Sequence, residues 1–181
     1  MNDALLHEVL DVLERRGTTG GLIGAVALAA HGIVRATLDY DLLVLDRGVL
    51  EAAAWTKLAE GGAVVEIRRG DLEDPLAGVV RISREGQAPV DLVVGKSPFL
   101  DGVLARRQEL VVRGRRVPVV LGADLLLLKV FAGGPQDLLD AETLLAGDED
   151  GRLRRELESR LADLPAGLRR EVSALLVRRP G

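Results

Sequence analysis

Residues 23–45 read IGAVALAAHGIVRATLDYDLLVL, and the reading of this stretch decides the fold. Its centre is Asp39-Tyr40-Asp41, followed by four apolar residues, Leu42 to Leu45. An unbroken apolar run of that length reads as a strand buried on both faces. Side chains alternate along a strand, so Asp39 and Asp41 share one face, while Leu38, Tyr40 and Leu42 take the other. Two like charges thus meet where a buried strand begins. Burial and mutual repulsion both oppose their ionisation. A divalent cation between them removes that cost, and paired carboxylate oxygens suit Mg²⁺ or Mn²⁺.

An isolated Asp-x-Asp more often marks an exposed turn. The surroundings argue otherwise here. Upstream, Ile23-Gly24-Ala25 forms a glycine turn that opens a small-residue helix at 24–30. Downstream, Pro89-Val90-Asp91-Leu92-Val93-Val94 places one acid in a second buried strand. A third carboxylate on a neighbouring strand is what metal-assisted phosphoryl transfer requires.

Outward from this stretch, the pattern predicts a helix at 3–16, capped by Asn2 or Asp3 and ended by Gly17. Thr18-Thr19-Gly20-Gly21 reads as a turn, with a short strand at Leu22-Ile23. A helix is expected at 48–60, then strands at 63–68, 76–83 and 88–94. A short helix follows Ser97-Pro98, and a hairpin spans 109–120 with Gly114 in its turn. From there the chain reads as helical: 124–131, 136–145, 152–161 and 168–177. Strands and helices mixed early, then helices alone, predict an α+β (α/β-like) fold with a helical C-terminal extension. The expected organisation is one domain over 1–146 and the extension over 152–179, joined by the linker at 147–151.

Composition narrows the function classes. The 48% hydrophobic content fits a packed core, and 2% aromatics leaves little with which to stack bases. The absence of cysteine excludes disulfides and thiolate metal sites. Only His7 and His31 are available as imidazoles, too few for a multi-histidine centre. The amphipathic N-terminus is no signal peptide, and residues 20–30 are too short to span a bilayer, so a cytoplasmic chain with no membrane partner is expected. Arginine dominates the cations, as a GC-rich bacterial genome would produce. Residues 151–181 hold eight arginines and four acids, a net +4 against −4 for the whole chain. That tail is a solvated arginine-rich face or a surface for RNA or an acidic partner, the solvated face being the preferred reading.

The combination of Ile23-Gly24-Ala25, Asp39-Tyr40-Asp41-Leu42 and Asp91 resembles the nucleotidyltransferase-fold superfamily that contains DNA polymerase beta. Ala27, His31-Gly32, Arg35, Thr37, Asp39, Asp41 and Leu42 are similar to the phrasing of small bacterial AbiEii-type and minimal nucleotidyltransferase proteins. Leu128-Lys129-Val130-Phe131-Ala132, with Asp137 and Asp140, extends the likeness, which covers about residues 20–145. Two departures stand out. Ala25 replaces the usual Gly or Ser, and Gly133-Gly134-Pro135-Gln136 stands where similar proteins often carry an Arg.

The resemblance implies a mixed central sheet and transfer of a nucleoside monophosphate from an NTP to a hydroxyl on tRNA, protein or a small molecule. Asp39 and Asp41 would hold one Mg²⁺ (or Mn²⁺) against the triphosphate. Asp91 would share a second and accept the hydroxyl proton. Backbone N–H groups at Gly24 and Ala25 would face the phosphates, with Arg35, Thr37 and Lys129 as further nucleotide contacts. Each of these three also has a plainer reading: Arg35 pairing with Asp39, Thr37 capping a turn, and Lys129 lying along a helix surface. His31 reads as structural. Asp137 and Asp140 share a helix face and either bond Lys129 or Arg side chains or are acids favoured by the helix dipole, the reading preferred for Asp140. A toxin–antitoxin partner chain is also implied. The alternative function is a non-catalytic, antitoxin-like member of the same fold that binds nucleotide or a partner.

Overall fold

A computed structural model describes residues 3–34, 39–112 and 114–177. Seven strands form one mixed sheet: β1 (Gly20–Ile23), β2 (Tyr40–Val44), β3 (Val64–Arg69), β4 (Leu76–Ser83), β5 (Val90–Gly95), β6 (Gln108–Val112) and β7 (Arg115–Val119). Their order is β3-β4-β5-β2-β1-β7-β6. The strand at the middle is the one built from the Asp-x-Asp stretch. β2 runs antiparallel to β1 and parallel to β5. Leu42, Leu43 and Val44 are all buried, as a strand covered on both faces demands.

Eight α-helices flank the sheet among the described residues: α1 (Ala4–Arg15), α2 (Gly24–Ala30), α3 (Thr56–Glu60), α4 (Phe99–Ala105), α5 (Gly122–Ala132), α6 (Pro135–Ala146), α7 (Arg152–Arg160) and α8 (Ala166–Val177). The α1 face carrying Leu5, Leu6, Val9 and Leu13 is buried. It lies on the Tyr40 side of the sheet, where the Tyr40 hydroxyl donates to Asp3 Oδ1 at 2.6 Å. Asp3 therefore holds the helix to the sheet and makes no side-chain capping bond to α1, contrary to its expected role. Asn2 lies outside the described residues. Gly17, at φ +66°, ends the helix as expected.

Two other local expectations are corrected. Gly20 and Gly21 belong to β1 and are not a turn. A Cβ at Gly21 would stand 3.1 Å from Val120 and 3.2 Å from Leu104, so glycine here serves close packing around a strand. The single helix expected at 48–60 is instead two 3-10 turns, Arg47–Leu50 and Ala52–Trp55, followed by α3. The carbonyls that would continue a helix are taken by side chains. Trp55 Nε1 donates to Val49 O at 2.7 Å and Arg69 to Leu50 O at 2.8 Å, while Glu51 between them is extended.

The C-terminal helices stand against α5. Leu157 and Val172 are fully buried in the same apolar cluster as the sheet residues. Asp148 in the 147–151 segment accepts from the Leu153 and Arg154 backbone N–H groups at 2.8 and 3.0 Å, satisfying the open end of α7. Asp124 on α5 is fully buried. It receives Arg106 Nη2 at 2.7 Å and lies 3.5 Å from Arg160 Nη1 of α7. No helix among the described residues is long and apolar enough to cross a membrane.

Candidate active site

Strand register gathers charges that are far apart in sequence. Ile23 of β1 pairs with Asp41 of β2, Asp41 with Asp91 of β5, Asp91 with Arg81 of β4, and Arg81 with Glu66 of β3. Cα partners in adjacent strands project to the same face, so Asp41, Asp91, Arg81 and Glu66 form one row across the sheet. Asp39, two residues before Asp41, stands at the entrance of β2 on that face. The parallel pairing of β2 and β5 brings the third acid directly beside the Asp-x-Asp pair.

Gly24 completes the floor. It sits at the β1–α2 junction at φ +65°, a conformation L-residues rarely adopt. A Cβ there would collide with Asp41 Oδ2 and stand 2.8 Å from Asp41 Cγ. The backbone is therefore pressed against the carboxylate, and any side chain at 24 displaces it. Ala25 follows in the first turn of α2.

The electrostatics follow from this crowding. Burial, reinforced by Asp39 and Asp91, pushes the Asp41 carboxyl up to about 6 against the opposing pull of Lys129 and Arg81. Burial likewise raises Asp91 above the usual carboxylate range, although Arg81 pulls the other way. Arg81 Nη1 lies 2.6 Å from Asp91 Oδ2. Asp91 Oδ1 is buried and has no hydrogen-bond partner. Arg81, Asp91, Glu66, Arg68 and Val79 line a cleft of about 430 Å³ beside the row.

The donor chemistry fits a hard divalent cation at the Asp39/Asp41 pair. These carboxylates repel each other at the rim of a buried strand, and the neighbouring Asp91 holds an unsatisfied buried oxygen. Among the described residues, however, no three acidic, His or Cys side chains are drawn together as a ready metal nest. The Oδ2 of Asp91 is paired with Arg81 of β4, the strand on the side of β5 away from β2.

The other sequence candidates separate. Arg35 and Thr37 lie outside the described residues. Lys129 on α5 is half-buried, and its Nζ contacts two acids of α6, Asp137 Oδ1 at 2.7 Å and Asp140 Oδ2 at 3.2 Å. Burial disfavours its charge, but those two carboxylates outweigh burial and hold its pKa above the ordinary value. Asp140 is nearly fully buried and also accepts from Gln136 at 3.2 Å. Its role is thus a specific pairing and not the dipole effect expected of it. His31 Nε2 lies 2.9 Å from Val120 O, the structural contact expected. Arg81, Arg68 and Glu66 were missed by sequence reasoning. The available signal was the alternation of residues 76–83, which sets Arg81 on one face of an otherwise apolar strand.

No protein-family model matches the chain, and no curated protein matches it. Solved structures do. TM1012 of Thermotoga maritima, a proposed nucleotidyltransferase, is 16% identical, with 79% of this chain and 89% of that one covered at a TM-score of 0.54. The solution structure of the antibiotic-resistance factor ANT(2'')-Ia is 19% identical, covering 88% and 92% at 0.52. Its crystal structure with adenylyl-2''-tobramycin is 17% identical, covering 87% and 97% at 0.50. The chain has the nucleotidyltransferase fold, a mixed α/β architecture around a seven-stranded sheet.

Proposed function

We propose that the protein is a nucleotidyltransferase that moves a nucleoside monophosphate from an NTP to a hydroxyl acceptor and releases pyrophosphate. The observation that carries this reading is the register of Asp41 against Asp91 on parallel strands, with Asp39 two residues away and Gly24 against the Asp41 carboxylate. Asp39 and Asp41, with Asp91, would hold Mg²⁺ or Mn²⁺. When bound, such a cation neutralises phosphate charge and lowers the pKa of an attacking hydroxyl. Asp91 Oδ1, the oxygen without a partner, receives the acceptor proton as the new P–O bond forms and the α–β bridge breaks. Backbone N–H groups at Gly24 and Ala25 orient the triphosphate. Arg35 and Thr37 remain candidate contacts beside it. Lys129 acts on Asp41 through its charge while Asp137 and Asp140 hold its ammonium in place.

The acceptor classes that the reading admits are tRNA, a protein hydroxyl and a small molecule. The adenylyl-tobramycin complex of a fold neighbour supports the last. The resemblance to minimal nucleotidyltransferases supports a toxin–antitoxin partner chain. A second reading, nucleotide binding without turnover, is favoured by one observation: Arg81 already occupies Asp91 Oδ2.

The deciding experiment supplies each α-labelled NTP with Mg²⁺, together with total RNA, total protein and a panel of polyhydroxylated small molecules. Label that moves to one acceptor class, and is lost in Asp41→Asn, establishes transfer. A folded protein that binds NTP and labels nothing is the non-catalytic member.

A further inference from the structure

The row of charges holds Asp91 between an acid and a base. Asp41 is its neighbour on β2 and Arg81 its neighbour on β4. The 2.6 Å pairing with Arg81 is short and charge-assisted, and it commits Oδ2 to the β4 side. The price is visible in the other oxygen, which is buried without a hydrogen bond. Arg81 also differs from an anchored arginine such as Arg84, which grips Glu8 with both Nη atoms at 2.7 and 2.9 Å. Arg81 makes one bond, its side chain is 43% exposed, and it borders an open cleft. On its far side lies Glu66, directly opposite it on β3, a second carboxylate to which its guanidinium can turn.

We propose that Arg81 is a positioning residue that stands in for a cation: it holds Asp91 out of the acidic cluster, and Asp91 joins Asp39 and Asp41 when the pair opens and Arg81 turns to Glu66. This accounts for a site that has Asp41 and Asp91 in register, with Asp39 two residues away, yet no assembled three-acid cluster among the described residues. It rests on reading the acids as a divalent-cation site, and it makes Arg81 a competitor for that cation.

The test is direct binding of Mn²⁺ alone to the full chain, followed by the electron paramagnetic resonance signal of free Mn²⁺. Folding is checked by circular dichroism. Arg81→Met is expected to tighten Mn²⁺ binding about tenfold, the factor that relief of one such competing pairing supplies. Arg81→Lys, which retains the charge, stays near wild type. Adding Asp91→Asn to Arg81→Met removes the gain, because Asp91 is what was released. If wild type binds Mn²⁺, Asp41→Asn loses it, and Arg81→Met matches wild type, the competition is refuted while the cation site stands. If no form binds Mn²⁺, the cation reading fails and the role of Arg81 falls with it.

Discussion

Gly24 and Asp41 leave no room for a carbon atom between them: a Cβ on Gly24 would stand 2.8 Å from Asp41 Cγ. The substitution Gly24→Ala therefore combines two effects, a left-handed backbone and a displaced carboxylate. Gly17 separates them, since its φ of +66° matches the +65° of Gly24 and a Cβ there meets nothing within 4 Å. Backbone strain alone costs about 1–2 kcal/mol. Gly17→Ala is expected to lose about that much stability in urea titration and to keep full transfer activity. Gly24→Ala loses at least as much stability and nearly all transfer. Wild-type transfer by Gly24→Ala would show that the carboxylate position is not required.

The Asp41 carboxyl gives stability a pH signature. Its folded pKa is raised to about 6, mainly by burial with added repulsion from Asp39 and Asp91, and it lies above the unfolded value near 3.8. The native state therefore binds its proton more tightly than the unfolded chain. Its contribution is full below about pH 4 and is lost as pH rises through about 6. Asp91, also raised, acts in the same direction. Asp41→Asn removes the ionisable group and keeps the shape. It is expected to stabilise the protein at pH 8 by about 3 kcal/mol, from roughly 1.4 kcal/mol per pK unit, with the gain vanishing by pH 4. Urea midpoints measured across that range test it, and equal midpoints at pH 8 would count against a strained carboxylate.

Lys129 sits between structure and site. Its ammonium holds Asp137 and Asp140, and the Asp140 side chain is only 4% exposed. Lys129→Met removes the ammonium from that buried carboxylate, which still accepts from Gln136. Removing one member of a buried pair costs about 3–5 kcal/mol. A loss near the lower end is expected, with partial recovery on adding Asp140→Asn. A lysine serving only as a phosphate contact would leave the unfolding midpoint unchanged and raise only the KM for NTP.

What could be read from the sequence divides along a physical line. The placing of Asp41 and Asp91 on neighbouring strands was legible because each acid interrupts a short apolar run that reads as a buried strand. The strand and helix succession was legible because apolar periodicity is local. What failed depended on partners distant in sequence. Arg81 reaches Asp91 only through the β4–β5 register, which includes an irregularity between Leu76 and Gly78 that alternation does not disclose. The helix expected at 48–60 was broken by Trp55 and Arg69 competing for its carbonyls. Asp140 takes Lys129 of the preceding helix as its partner, a pairing that spacing on its own helix left open beside the preferred dipole reading.

The arginine-rich tail offers a last discrimination. Sequence left it as a solvated face or an RNA-binding surface, but its apolar side is committed to α5. Leu157 and Val172 have no exposed surface, and Arg160 lies 3.5 Å from the buried Asp124. A Leu→Ala change at such a site costs about 2–5 kcal/mol. Leu157→Ala is expected to lower the unfolding midpoint of the whole chain in one cooperative transition. Deletion of 151–181 would then fail as a test of RNA binding, because it uncovers α5 and takes Arg160 away from the buried Asp124. Charge reversal at exposed Arg155 and Arg170 is the sound alternative, since it alters the basic face without touching α5. A second, independent unfolding step in Leu157→Ala would show instead that the tail is a separate unit.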